Sequence, residues 1–210
     1  MNKPIFLWST WALLSVYLVI LAGAVVRMTG SGMGCPDWPK CFGYLIPPTE
    51  RSQLDWQSGK TYEKGNVIIL DNTLQVATQT FESGKTIDLE NWEAYTKHDY
   101  TTFNATHTWV EFINRLLGAI SGLIVLGLFI RSLWWIRKQP LLSLFSFFAV
   151  VGMGVQAWLG KTVVDSNLLP SKISLHMIMA LLIVSVLLFV RAKSHGKQIQ
   201  QPSKTLLMLI

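Results

Sequence analysis

Phe6–Val26, FLWSTWALLSVYLVILAGAVV, runs for 21 residues without a charged side chain. A helix of that length covers the roughly 30 Å hydrocarbon core of a bilayer. A cleaved signal peptide has a shorter apolar core, about 7–15 residues, ending on small residues at a cleavage site. This run continues instead into Arg27, which reads as a retained membrane helix. Three further stretches match it. One ends at Ile130 and, counted back by a membrane thickness, starts near Glu111; the others are Gln139–Gly160 and Ile173–Val190. A fifth apolar run begins at Thr205 and reads as the start of another helix.

Composition agrees with that reading. Half of the 210 residues are apolar, 14% are charged, and the mean hydropathy is +0.37. A soluble domain carries about a quarter charged residues. Disorder and a coiled coil are excluded by the same balance, and a disulfide-rich secreted scaffold by the presence of only 2 Cys. The predicted fold is an all-α membrane protein, a four-transmembrane-helix bundle with a long outer loop between helices 1 and 2. Its expected divisions are 1–27 (cytoplasmic start and first helix), 28–106 (outer loop), 107–131 (second helix), 139–160 (third helix), 161–172 (outer link), 173–191 (fourth helix) and 192–210 (cytoplasmic link and start of a fifth helix).

The net charge of +6 is a topology signal once its residues are located. Lys3, Arg131, Arg137, Lys138, Arg191, Lys193, Lys197 and Lys204 fall on one side, with no acidic residue among them. The positive-inside rule makes that side cytoplasmic. The 79-residue segment Met28–Thr106 on the other side holds ten of the twelve carboxylates and six Lys/Arg. No nucleic-acid partner is implied; the expected partner is the lipid bilayer. A short Lys-bearing N-terminus without a transit peptide favours a bacterial plasma membrane, with the N-terminus cytoplasmic and the long loop outside. Within that loop residues 28–49 are dense in Gly, Pro, Cys and Trp, suggesting a fixed shape, while 50–106 are polar apart from Val67–Leu70, a candidate hairpin arm.

Polar residues in membrane helices are costly and need an account. His107, Glu111 and Asn114 recur at i, i+4 and i+7, on one helix face, and Gly118 and Gly122 continue that face. The stripe suits a flat ligand against the upper helix and close helix contact below it. A packing face with a wetted polar end remains open. Glu111 and Arg115 have the spacing and order of a helical ion pair, which competes with a catalytic carboxylate. His176 stands in an otherwise apolar run, where imidazole serves either as a hydrogen-bonded core residue or as a heme ligand. Gly152, Gln156 and Gly160 make a thin face on the third helix. Cys35 and Cys41, with five residues between them, can close a small disulfide worth about 2 kcal/mol. A redox role for the pair also stays open.

One stretch is more specific than any of these patterns. Val25–Gly43, VVRMTGSGMGCPDWPKCFG, resembles the first-helix exit and outer loop of the heme A synthase family. His107–Gly118, HTWVEFINRLLG, is similar to the family's second-helix motif, and Gly160–Asp165 through His176 to its third-to-fourth link and fourth-helix histidine. The resemblance implies two similar four-helix bundles, eight helices in all, of which this chain supplies the first. It implies oxidation of the methyl group of heme O, through hydroxymethyl stages, to the formyl group of heme A. Heme O is then the substrate of this half, handed over by a heme O synthase, and a heme b cofactor is expected in a second half. By position, Glu111 is the essential carboxylate and His176 an axial ligand to the substrate heme iron. The family commonly has a second histidine three residues after that Glu, where this chain has Asn114.

Helix rise tests the alternatives. His176 sits about 21 Å above Val190, Asn114 about 24 Å above Ile130 and His107 about 35 Å above Ile130. Axial ligands share one iron, so their heights should agree. The expectation is a single ligand, His176, joined by His107 only if the second helix shifts or extends inward. Asn114 lines the heme pocket. Arg27, Arg115 and Lys161, at outer helix ends, either meet the heme propionates or snorkel to headgroups. The rival readings are a non-catalytic membrane heme b electron carrier and an oxidase assembly factor that docks partners through its acidic loop. Self-association as a homo-oligomer is left open.

Overall fold

The computed structural model describes residues 3–96 and 102–195. The expected fifth helix, from Thr205, lies outside them. Among the described residues four helices are each long and apolar enough to cross a membrane: α1 (Lys3–Met28), α2 (Ala105–Leu133), α3 (Pro140–Asp165) and α4 (Pro170–His195). α3 and α4 both open on proline, whose missing N–H costs nothing at a first helical position. α1 stops where Gly30 takes a left-handed φ of 69°. α3 ends in a similar turn, with Asn167 and Leu168 at φ 50° and 60° and the Leu168 amide donating to the Val163 carbonyl at 3.0 Å. The expected link of 161–172 is therefore corrected to 166–169. Apolar character falls off at Gly160, but the helix continues through polar residues because Lys161 and Asp165 pair at i, i+4 along it.

The described residues divide into two compact units, residues 3–20, 117–156 and 177–195 in one, and 21–96, 102–116 and 157–176 in the other. The first, the bundle unit, buries Ile5, Leu13, Val125, Leu128, Leu142 and Leu187 in one apolar cluster. Other leucines point away from it; Leu123 is 68% and Leu181 62% exposed, as suits helices with hydrocarbon for solvent. Several of its hydroxyls find partners inside. Ser15 and Ser121 share a hydrogen bond of 3.0 Å, and Ser143 donates to the Ser132 carbonyl at 2.8 Å. Close approach occurs at glycines other than those the helical stripe suggested. A Cβ on Gly127 would lie 2.6 Å from the Trp8 ring, and one on Gly152 2.9 Å from Ile183, whereas Cβ atoms on Gly118 and Gly122 would meet nothing within 4 Å. The expected contact at Gly118 and Gly122 is thus corrected: both stand in open space, and the opposing element is a large side chain elsewhere.

The second, the loop-bearing unit, contains most of the segment between α1 and α2. β2 (Val67–Leu70) pairs antiparallel with β3 (Thr73–Ala77) in the register Val67↔Val76 to Leu70↔Thr73, and β3 pairs with β5 (Trp92–Ala94). Asp71 and Asn72 make the turn, with φ of 47° and 60°, the twist a two-residue hairpin needs. β1 (Thr61–Tyr62) and β4 (Phe81–Glu82) form a second, two-stranded sheet. The three-stranded sheet is covered on both faces. Val67, Ile69 and Leu74 pack with Cys35, Cys41 and Phe42, while Ile68 and Ala77 pack with Tyr62 and Trp92. That double burial explains why β2 reads VIIL without alternation.

Cys35 and Cys41 are joined by a disulfide, with Cα atoms 4.9 Å apart. Beyond it Phe42 and Gly43, at φ 56° and 78°, turn the chain so that Cys41 and Tyr44 exchange backbone hydrogen bonds of 2.9 and 3.1 Å. A side chain at Gly43 would strike the Gly65 carbonyl, so glycine is required there by both its φ and its surroundings.

Candidate functional site

The disulfide loop is seated on the first turns of α2. At Gly34 the backbones touch so closely that a Cβ would collide with the His107 carbonyl and lie 2.7 Å from the Thr108 nitrogen. The Thr108 hydroxyl donates to the Gly34 carbonyl at 2.8 Å. One turn further along, Glu111 is 4% exposed. The Cys35 amide donates to its Oε2 at 2.8 Å, and Arg115 donates to its Oε1. The other Arg115 donors reach the loop backbone: the carbonyls of Asp37 at 2.6 Å, Lys40 at 3.1 Å and Cys35 at 3.2 Å. Guanidinium is suited to this because its donors form a planar fork.

Asp37 completes the loop. Its carboxylate accepts from the Phe42 amide at 2.5 Å and the Gly43 amide at 2.8 Å. Burial pushes the Asp37 carboxyl above its ordinary range, against the pull of those amides and of Arg115. The Tyr95 hydroxyl donates to the Pro36 carbonyl at 2.8 Å. Burial drives that hydroxyl up to about 12, with the negative charges of Asp37 and Asp165 adding to the effect. It stays a donor at any physiological pH.

All the site residues expected from the sequence belong to this one unit. Glu111, Arg115, Cys35 and Cys41 are brought together as described. Asn114 faces Gly23 of α1, where a Cβ would lie 3.8 Å from its Oδ1, and that oxygen is buried without a hydrogen-bond partner among the described residues. His176 faces Gly160 of α3, with a Cβ there 3.4 Å from its Cε1. Lys161 pairs with Asp165, and Arg27 closes the last turn of α1. His107 sits in the first turn of α2, its amide donating to the Asn104 side chain at 3.2 Å. Among the described residues no three His, Cys, Asp or Glu side chains converge as a metal cage. A porphyrin iron asks for less, one or two axial side chains.

Asp37, Thr108 and Tyr95 hold the loop through hydrogen bonds that sequence reasoning passed over. Asp37 carried a local signal, an acidic residue between two cysteines and ahead of Phe-Gly, the pattern of a side chain capping a turn. Tyr95 carried none, being 59 positions from its partner.

A family model described as cytochrome oxidase assembly protein matches residues 6–82 and 72–210. The chain belongs to the cytochrome oxidase assembly protein family. Relatives in the same direction include heme A synthase of Shewanella oneidensis, 26% identical over 194 residues, 90% of this chain and 47% of the relative. Heme A synthase of an Exiguobacterium species is 25% identical over 202 residues, 93% of this chain and 49% of the relative. A shorter match, to heme A synthase of Alkalihalophilus pseudofirmus, reaches 46% identity over 48 residues, 22% of this chain and 16% of the relative. The chain spans about half the length of the first two of these relatives. No solved structure matches it.

Proposed function

We propose that this chain is the heme O-binding part of a heme A synthase, in which the methyl group of heme O is oxidised to the formyl group of heme A. Family membership sets the reading. One observation carries it to residues: Glu111 is buried, with each carboxylate oxygen held by a donor, in the same unit as His176. A carboxylate fixed in a low dielectric stabilises positive charge developing at an oxidised carbon, or accepts the proton released there. His176 is the axial ligand to the substrate iron. The packing of Gly34 on the His107 carbonyl opposes the shift His107 would need to join it, which favours the single-ligand arrangement.

Asn114, buried with an unpartnered acceptor, lines the pocket. Arg27 and Lys161 lie at helix ends suited to the propionates, Lys161 by exchanging Asp165 for a propionate. Arg115 has its donors turned to the loop carbonyls and Glu111, and acts here by positioning Glu111 rather than by reaching a propionate. A heme b cofactor belongs to a second bundle, and heme O arrives from a heme O synthase. The basic ends of the helices face the bacterial cytoplasm and the disulfide-bearing segment faces out.

Glu111→Gln tests the assignment in the natural protein. Gln keeps an acceptor for the Cys35 amide, so the loop should hold its protection from proteolysis and the heme should stay bound. Extracted hemes identified by mass should then show heme O with heme A output reduced at least about a hundredfold, the usual scale for a lost acid–base group. Normal heme A output overturns the role of Glu111, and extraction of heme b alone from wild type overturns the synthase reading in favour of an electron carrier.

A further inference from the structure

A cavity of about 360 Å³ lies in the loop-bearing unit, with neither Asp37 nor a cysteine in its lining. Its walls include Tyr44, Ile46, Pro47, Pro48, Lys60 and Trp109. Two of these side chains carry buried polar atoms with no hydrogen-bond partner among the described residues, Tyr44 Oη and Trp109 Nε1. The indole N–H can only donate. Burial holds the Tyr44 phenol above its ordinary value, so it too keeps its proton. The Lys60 ammonium stands 5.8 Å from the Tyr44 ring centroid and 5.2 Å from that of Tyr62. Gln53, the remaining amide in the wall, already accepts from the Thr49 and Glu50 amides at 2.7 and 3.3 Å. The Lys60 ammonium donates to the Gln53 carbonyl at 3.5 Å and keeps further N–H donors, so Lys60, Tyr44 and Trp109 all offer donors to a ligand, one of them a cation.

No lining residue is acidic. The carboxylate whose charge reaches Tyr44, Glu63, is 71% exposed and pairs with Lys40 at 3.8 Å. Apart from Thr49, whose hydroxyl donates to the Gln53 side chain at 3.4 Å, the rest of the wall is apolar. Beside it Leu45 and Ile46 are 77% and 72% exposed, an unusual display for two adjacent aliphatic residues outside a helix. Depth supplies the last constraint. α2 is long enough to cross a membrane and begins at Ala105, so Trp109 lies about 6 Å along the axis from that end, where tryptophan favours the headgroup level.

We infer that this cavity binds the phosphodiester of an anionic phospholipid, with the acyl chains running along Leu45 and Ile46. Lys60, Tyr44 and Trp109 donate to the phosphate oxygens. A zwitterionic headgroup is disfavoured because its cation would meet Lys60 with no carboxylate in the wall. The inference is independent of the heme chemistry proposed above, since none of these side chains enters that site.

The test uses the natural full-length protein in phosphatidylcholine nanodiscs with increasing phosphatidylglycerol, read by native mass spectrometry. Wild type should retain phosphatidylglycerol tightly, with affinity falling about tenfold or more in Lys60→Gln, the scale of a charge-assisted hydrogen bond. Tyr44→Phe, which keeps the ring and removes one hydroxyl, should lose severalfold with helix content and disulfide intact, so a folding failure at Lys60 leaves the test standing. Equal retention by all three proteins overturns the site. Displacement of the lipid by inorganic phosphate at equal concentration overturns the lipid as the occupant, leaving an anion site only.

Discussion

In the bundle unit Leu128, Leu142 and Leu187 are fully buried among other aliphatic side chains. In the loop-bearing unit the groups buried around Cys35 include a carboxylate, a guanidinium and a set of backbone amides and carbonyls that answer one another. Helices immersed in lipid gain little from hiding leucine from leucine, so shape and close approach decide their contacts. A polar loop has no such latitude, because every buried donor or acceptor left unmatched costs the folded state. The unit that carries the proposed chemistry is the one held by directional bonds, which fix atoms more tightly than apolar contact does.

That difference can be broken from either side. Arg115→Ala should have the largest effect, about 4 kcal/mol, because it strands the buried Glu111 charge and frees three loop carbonyls. Hydrogen exchange should rise at the Cys35, Phe42 and Gly43 amides while the core of the bundle unit keeps its protection. Leu128→Ala should do the reverse, at about 3 kcal/mol, through the cavity it leaves. Its increase in exchange should centre on α2 near Val125 and leave the loop amides alone. Reduction of Cys35–Cys41 should cost no more than about 2 kcal/mol, read as a shift in loop protease sensitivity. Gly118→Ala should be smallest, within about 0.5 kcal/mol in a thermal melt of the unliganded protein, since its Cβ enters open space. The same substitution at Gly34, in the loop seated on the first turns of α2, should prevent the loop from seating.

Hydropathy made the helices legible because a bilayer demands long uncharged runs, and it located α1, α2, α3 and α4 within a few residues. It ended the third too early, since Lys161 and Asp165 prolong the helix without being apolar. The glycine stripe on α2 misled for a different reason: spacing shows which residues share a face but not what lies opposite, and Trp8 meets Gly127 instead of anything meeting Gly118. The strands were mostly hidden. Val67–Leu70 was visible as apolar, yet its partners Thr73–Ala77 and Trp92–Ala94 are short and mixed in polarity, and pairing across that distance leaves no periodic mark. Within the site, the i, i+4 relation of Glu111 and Arg115 was readable, whereas the three carbonyls that Arg115 gathers were not, being backbone groups that every residue carries.

Those carbonyls belong to residues on both arms of the Cys35–Cys41 ring, and one side chain from α2 spans them. Arg115 therefore acts as a second clasp that no thiol reagent can open. When the sulfur bridge is reduced the ring should stay shut around the guanidinium. The amide that grips Glu111 should then keep its place after reduction.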